Sequence, residues 1–196
     1  MGVIRTEKEV IVRRLMHCLV ALAPLYFLIP DDLPVINMRR WVLLIVFFAA
    51  VSIFDTWRRI NKVPIFGLRP HEEDSVASFA WAAAGITFVL WMIPKPLATA
   101  TLLGMALVDP LAGELRRSFG RKMWIMAASM VVYFAISFST LALWGDHTIA
   151  MCAVLAMIGA LVAIPSEAIK VKVIDDDFLM LAIPGVAVGV AAQLLL

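Results

Sequence analysis

Charged residues are scarce in this chain. Only 16% of its 196 residues are Asp, Glu, Lys or Arg, whereas 63% are hydrophobic and the mean hydropathy is +0.94. A soluble domain is nearer half apolar and has about a quarter of its residues charged, so the composition excludes an ordinary water-soluble fold. The length allows one domain, residues 1–196. The sequence therefore predicts an all-α integral membrane protein, a polytopic bundle of transmembrane helices.

Cysteine is nearly absent too. The two cysteines are Cys18, at the inner end of the first apolar segment, and Cys152, at the outer end of the sixth. A disulfide needs Cα atoms within about 7 Å of each other. We therefore expect both residues to be unpaired packing residues.

The chain contains seven long apolar runs. A spanning helix needs about 20 residues, so the second and fourth runs are too short alone. They can cross only if their helices continue into the charged stretches "DTWRR" and "DPLAGELRR", whose charges must then face protein or water. The seven runs are Leu15–Pro30, Trp41–Phe54, Val76–Ile93, Pro96–Val108, Met123–Trp144, Thr148–Ile164 and Phe178–Leu196.

The N-terminal run has one competing interpretation. Charges, an apolar stretch and "ALA" at residues 21–23 have the layout of a signal peptide. The apolar run continues through "PLYFLIP", beyond any cleavage point, which favours a first membrane span.

Lysine and arginine are distributed unequally between the two sides. With seven spans, the N-terminus and the second, fourth and sixth connections hold 14 of the 17 cations. The positive-inside rule then places the N-terminus in the cytoplasm and the C-terminus outside. The same side also holds 12 of the 15 acidic residues, which that rule does not require. This pattern predicts a polar site that faces the cytoplasm.

The stretch "LVDPLAGELRRSFGRK", residues 107–122, is the first candidate for that site. On a continuous helix Asp109, Gly113, Arg116, Arg117 and Gly120 share one face. Pro110 fits the first turn of a helix, so the alternative is a fourth span that breaks at Asp109 and restarts, creating a phosphate-binding helix N-terminus. Aspartate can hold Mg²⁺ and arginine can grip phosphate, although the four cations could serve only as topology anchors. The residues concerned are Asp109, Gly113, Arg116, Arg117, Gly120, Arg121 and Lys122.

The stretch "IPSEAIKVKVIDDDF", residues 164–178, is the second candidate. Three consecutive carboxylates repel one another unless a cation or basic residues compensate. An acidic N-cap of the last helix explains one of them, and metal coordination explains the others better. The stretch contains Glu167, Lys172, Asp175, Asp176 and Asp177.

Two further polar stretches lie on the same predicted side. "VRRLMHCLV" brings Arg13, Arg14 and His17 to the start of the first span. "LRPHEEDSVASFAWAAAG" leads into the third span and carries Arg69, His71, Glu72 and Glu73. A histidine at the start of a helix is usually a capping or interfacial residue, but the arginines near His17 make phosphate contact plausible.

In order and spacing, these four motifs resemble the dolichol kinase/phytol kinase family, from about residue 13 to residue 184. The family's Asp-x-x-Ala, Phe-Gly and basic pair are matched by Asp109, Ala112, Phe119, Gly120, Arg121 and Lys122, and its Glu with a later Asp-Asp pair by Glu167, Asp175 and Asp176. The chain departs from the family pattern where Arg116 replaces a glycine, Asp177 an asparagine, and Ala127, Ala128 and Ser129 a Glu-Gly-Ser.

The resemblance implies a CTP-dependent kinase that phosphorylates long-chain isoprenoid alcohols such as dolichol or polyprenol with Mg²⁺. Asp109, Asp175 and Asp176 would hold the metal, with Glu167 as a further ligand or base. The lipid would contact Arg69 and Glu72. The phosphates would contact basic residues and a glycine, namely Arg14, His17, Arg116, Arg117, Gly120, Arg121, Lys122 and Lys172.

Other functions stay open at this point. A cytidylyltransferase acting on a lipid phosphate needs the same carboxylates, metal and cations, and an inactive scaffold would explain the loss of the family's glutamate at Ala127. A transporter is less favoured because spans three, five and six carry no Asp, Glu, His, Lys or Arg between their ends. The expected partners are a nucleotide, a lipid alcohol and the bilayer, with no nucleic acid; a homo-oligomer is an open alternative.

Overall fold

Helices make up most of the chain in the computed structural model, as the composition predicts. The structure describes residues 7–33, 38–68, 72–120, 122–166, 171 and 174–195, except for the side chains of residues 7–10 and 13. The helices are α1 (Glu7–Leu19), a 3₁₀ helix (Val20–Leu28), α2 (Trp41–Asn61), α3 (Ser78–Met92), α4 (Lys95–Phe119), α5 (Met123–Trp144), α6 (Ile149–Ser166) and α7 (Asp176–Leu195). Two short strands, β1 (Asp32–Leu33) and β2 (Met38–Arg39), pair antiparallel between the 3₁₀ helix and α2.

Five of these helices are long and apolar enough to cross a membrane, namely α2, α4, α5, α6 and α7. Two apolar stretches are shorter, Arg14–Leu28 and Ser78–Met92. The all-α fold and its apolar helices therefore agree with the sequence prediction, and each of the seven predicted runs contains a helix. The helix of the second run continues through "DTWRR", as its length required.

The fourth predicted span does not break at Asp109. Helix α4 runs without interruption from Lys95 to Phe119, with Pro110 inside it. Proline removes one backbone hydrogen bond, but inside a bundle neighbouring groups can compensate for such a loss, and α4 packs against α1, α3, α5 and α7. The expectation of a helix N-terminus at Pro110 is wrong. The helix ends instead at Gly120, whose φ of 72° is a conformation that glycine adopts readily.

Helix α4 is also the centre of the bundle. Of its most apolar 18-residue window, 61% is buried inside the protein, against 17% for α2. Small side chains and glycines on α4 allow its neighbours to approach closely. Whatever lies on the face of α4 is therefore positioned by several helices at once.

The two cysteines are unpaired, as expected. Cys18 is exposed on α1 and Cys152 is buried in α6. Cys152 packs inside the bundle as predicted, whereas the prediction that Cys18 is a packing residue is wrong, because its side chain lies on the outer surface of α1.

Candidate functional site

Three helices meet at His17, which is 8% exposed. This histidine is in the last turn of α1, and its Nδ1 lies 3.5 Å from Asp109 Oδ2 on α4. Its Nε2 lies 4.0 Å from Asp177 Oδ1 on α7. Residues far apart in the sequence therefore come together at one end of the bundle, and two of them were predicted site residues.

Asp109 is partly buried, with 21% of its side chain exposed. The sequence predicts that this carboxylate holds Mg²⁺. The structure places His17 beside this carboxylate, a partner from another helix that spacing along α4 cannot reveal. Arg116 makes interactions of its own and lies about two turns further along the helix.

The three consecutive aspartates occupy the start of α7. One carboxylate oxygen from each of Asp175, Asp176 and Asp177 lies within 4.8 Å of the others. Asp175 accepts a hydrogen bond from the backbone N–H of Asp177 at 3.1 Å, so it caps the helix as the simpler interpretation predicts for one aspartate. The helix dipole favours the remaining negative charge at this end.

Asp177 is the most buried of these aspartates, with an exposure of 4%. The family resemblance points to Asp175 and Asp176, which are half-buried. Asp177 is more buried than Asp176 because it lies one residue further into α7 and faces His17. Sequence reasoning did not assign a role to this residue, although its position in the acidic run was visible.

The basic residues that were expected to bind phosphate are spread around this end. Arg14 of α1 forms an ion pair with Glu114 of α4, a partner that the motif analysis did not consider. Arg116 and Arg117 lie in the last turns of α4, Gly120 ends that helix, and exposed Lys122 precedes α5. Other predicted site residues, Arg69, Arg121, Glu167 and Lys172, lie outside the described residues, as does His71.

A second charged cluster joins α2 to the connection before α3. Buried Arg58 donates to Asp55 Oδ1 at 2.9 Å and to the backbone carbonyl oxygens of Glu72 at 3.0 Å and Ser75 at 2.9 Å. The other carboxylate oxygen of Asp55, Oδ2, lies 3.1 Å from Arg59 Nε. The sequence predicts that the charges of "DTWRR" face protein or water, and the burial of Asp55 and Arg58 agrees with this, although their partners could not be named from the sequence.

Glu72, which was assigned to the lipid substrate, lies in this connection and is 2% exposed. The hydrogen bond from Arg58 to the backbone carbonyl oxygen of Glu72 fixes the backbone at this position. The Arg58 cluster and the His17 site lie at the same end of the bundle. Trp81, in the first turns of α3, contacts Phe178 edge-on, with ring centroids 6.0 Å apart, and Phe178 is the neighbour of Asp177.

No protein-family model, curated protein or solved structure matches this chain. The resemblance to the dolichol kinase/phytol kinase family therefore stays a prediction from the four motifs.

Proposed function

We propose that this chain is a membrane lipid-alcohol kinase that transfers the γ-phosphate of CTP to a long-chain isoprenoid alcohol. The observation that carries the proposal is the meeting of Asp109, Asp177 and His17 at the end of an apolar bundle, next to the aspartates at the start of α7. Phosphoryl transfer needs little covalent chemistry from the protein, because positioning and neutralisation of charge are sufficient.

In this proposal, a divalent cation neutralises the phosphates. Mg²⁺ is the cation that normally accompanies a nucleotide, and carboxylate oxygens are its usual protein ligands. Asp175, Asp176 and Asp177 offer such oxygens, and Asp109 completes the acidic lining. The phosphates would be contacted by basic residues of α1 and α4 in the same region, namely Arg14, Arg116 and Arg117.

The chemical step is a displacement at phosphorus. The lipid hydroxyl oxygen attacks the γ-phosphorus, the bond between this phosphorus and the bridging oxygen breaks, and CDP leaves. A carboxylate accepts the hydroxyl proton, and Glu167 is the proposed base.

The lipid reaches the site from the bilayer. Buried His17 has exposed apolar neighbours on the same helix, Leu15, Met16 and Leu19, each more than half exposed. Such side chains suit contact with lipid tails. A lipid alcohol lying against α1 would therefore have its hydroxyl at the depth of the carboxylates.

The proposed topology has seven spans, an N-terminus in the cytoplasm and a site that faces the cytoplasm. The short stretch Arg14–Leu28 supports a crossing, because a 3₁₀ helix rises about 2.0 Å per residue and covers more distance than an α-helix of equal length. The 15-residue α3 would be about 22 Å long, so a crossing by α3 needs the apolar residues that flank it as well.

A product assay tests the proposal. Purified full-length chain is incubated with radiolabelled CTP or ATP, Mg²⁺, and a panel of polyprenols, phytol and diacylglycerol. We expect a labelled lipid phosphate together with CDP. Release of pyrophosphate would identify a cytidylyltransferase instead, and absence of any product with every pair would leave the scaffold interpretation.

A further inference from the structure

The two nitrogens of His17 face carboxylates of two different helices. Nδ1 lies 3.5 Å from Asp109 Oδ2, which is at the limit for a hydrogen bond, and Nε2 lies 4.0 Å from Asp177 Oδ1, which is beyond it. The histidine and Asp177 are both more than nine-tenths buried. The imidazole is therefore held in one orientation, with a different partner on each side.

The longer of these distances suits two ligands of one metal ion. Ligand atoms at about 2.1 Å from an ion lie about 3.0 Å apart when they are at right angles and about 4.2 Å apart when they are opposite. The 4.0 Å between His17 Nε2 and Asp177 Oδ1 falls inside this range. Among the described residues, Asp175 and Asp176 group with Asp177 but not with His17, so water or phosphate oxygens would fill the remaining positions around such an ion.

The shorter contact matches the group that orients a metal-bound histidine. A histidine that binds metal through one ring nitrogen usually donates the other N–H to a carboxylate or carbonyl, which fixes the tautomer and the ring orientation. Asp109 occupies this position relative to Nδ1. The three residues come from α1, α4 and α7, so packing of the bundle assembles the arrangement.

We propose that His17 Nε2 and the Asp177 carboxylate bind a divalent transition-metal cation of the Mn²⁺ class, and that Asp109 acts through His17. Imidazole favours first-row transition metals, whereas Mg²⁺ prefers oxygen ligands and keeps several waters. The inference concerns the cation of the proposed kinase site and depends on the geometry of that site. It does not require that the phosphoryl transfer occurs.

Binding of the metal alone tests this inference. Full-length chain in detergent is stripped with a chelator and titrated with MnCl₂ or MgCl₂, while thermal unfolding and the electron paramagnetic resonance signal of free Mn²⁺ are followed. We expect Mn²⁺ to bind at least about tenfold more tightly than Mg²⁺. His17→Gln and Asp109→Asn should each weaken Mn²⁺ binding by about 10–100-fold.

The matched control is His147→Gln, since His147 lies in the connection between α5 and α6, at the opposite end of α5 from the site. This variant should bind Mn²⁺ like the wild type. If His17→Gln does not fold, pulsed electron paramagnetic resonance of the wild type decides, because a bound imidazole gives a nitrogen coupling to Mn²⁺. Its absence, or equal affinity for Mn²⁺ and Mg²⁺, would overturn the inference.

The result also separates this inference from the proposed reaction. Tight Mn²⁺ binding with nitrogen coupling, but no labelled lipid phosphate, would retain the metal site and reject the kinase. Phosphoryl transfer in a protein without this coupling would retain the kinase and reject His17 as a ligand.

Discussion

Arg58 shows how single residues hold the polar end of this bundle together. Its side chain is 1% exposed and donates to the Asp55 carboxylate and to backbone carbonyl groups of the connection before α3. A buried charge is costly unless it is paired and hydrogen-bonded. The arginine meets both conditions, so it joins α2 to the residues that begin α3.

Removing Arg58 should destabilise the protein strongly. Arg58→Ala leaves the Asp55 carboxylate, 2% exposed, without its closest cation, and we expect a loss of about 3–5 kcal/mol in the free energy of unfolding. The measurement is thermal or denaturant unfolding in detergent. Arg59→Ala is the control: Arg59 also contacts Asp55, but a third of its side chain is exposed, so a much smaller loss is expected. Equal effects of the two variants would contradict this view of the cluster.

The contact between Asp109 and His17 predicts the effect of removing the Asp109 charge. Asp109→Asn should leave a folded protein that is no longer stabilised against heat by CTP with Mg²⁺, because the substitution disturbs His17 and the charge of the site. Asp146→Asn, an exposed aspartate in the connection between α5 and α6, should behave like the wild type. The prediction is wrong if CTP still stabilises the Asp109→Asn variant as much as the wild-type chain.

At the scale of the element, Gly104 of α4 determines how closely α5 approaches. A Cβ atom added at Gly104 would lie 2.6 Å from Tyr133 Cε2, whereas a Cβ at Gly113 would meet nothing within 4 Å. The Tyr133 ring is buried and rigid, and it also packs against Gly159 of α6. These contacts explain why small residues are needed on one face of α4.

Two alanine substitutions on α4 should therefore have opposite effects. Gly104→Ala forces the tyrosine ring away and should cost about 1–3 kcal/mol of stability. Gly113→Ala adds a better helix former in open space and should stabilise by about 0.5–1 kcal/mol. Unfolding midpoints in detergent measure both. A Gly104→Ala protein as stable as the wild type would mean that α4 and α5 pack more loosely than this structure indicates.

For the whole molecule, the number of membrane crossings is the property to test. Reporters are fused after Lys62, in the connection that follows α2, and at the C-terminus. With seven spans, five crossings separate the two sites, so the reporters read on opposite sides. If only the five long helices cross, four crossings separate them and both reporters read on the same side. We expect opposite sides, with Lys62 in the cytoplasm, because seven spans would place 14 of the 17 cations on that side.

Much of the helical framework follows from local sequence properties. Hydropathy predicts the apolar runs because a helix in lipid satisfies its own backbone hydrogen bonds, so the length and polarity of each segment are sufficient. The extension of α2 into "DTWRR" followed from the same reasoning about length. The predicted helix break at Pro110 was wrong. The prediction used only the local effect of proline on its own helix, whereas neighbouring helices support α4 on several sides.

The sequence by itself determined the class of the protein, the position of its apolar helices, the uneven distribution of charge and the acidic stretches that contain Asp109 and Asp177. Tertiary structure decided which polar groups face each other: His17 with Asp109 and Asp177, and Arg58 with Asp55 and the connection before α3. Hydropathy and charge are properties of each segment and can be read along the chain. The partner of a buried polar side chain is chosen by helices that are distant in sequence, and only their packing brings it within a few ångströms.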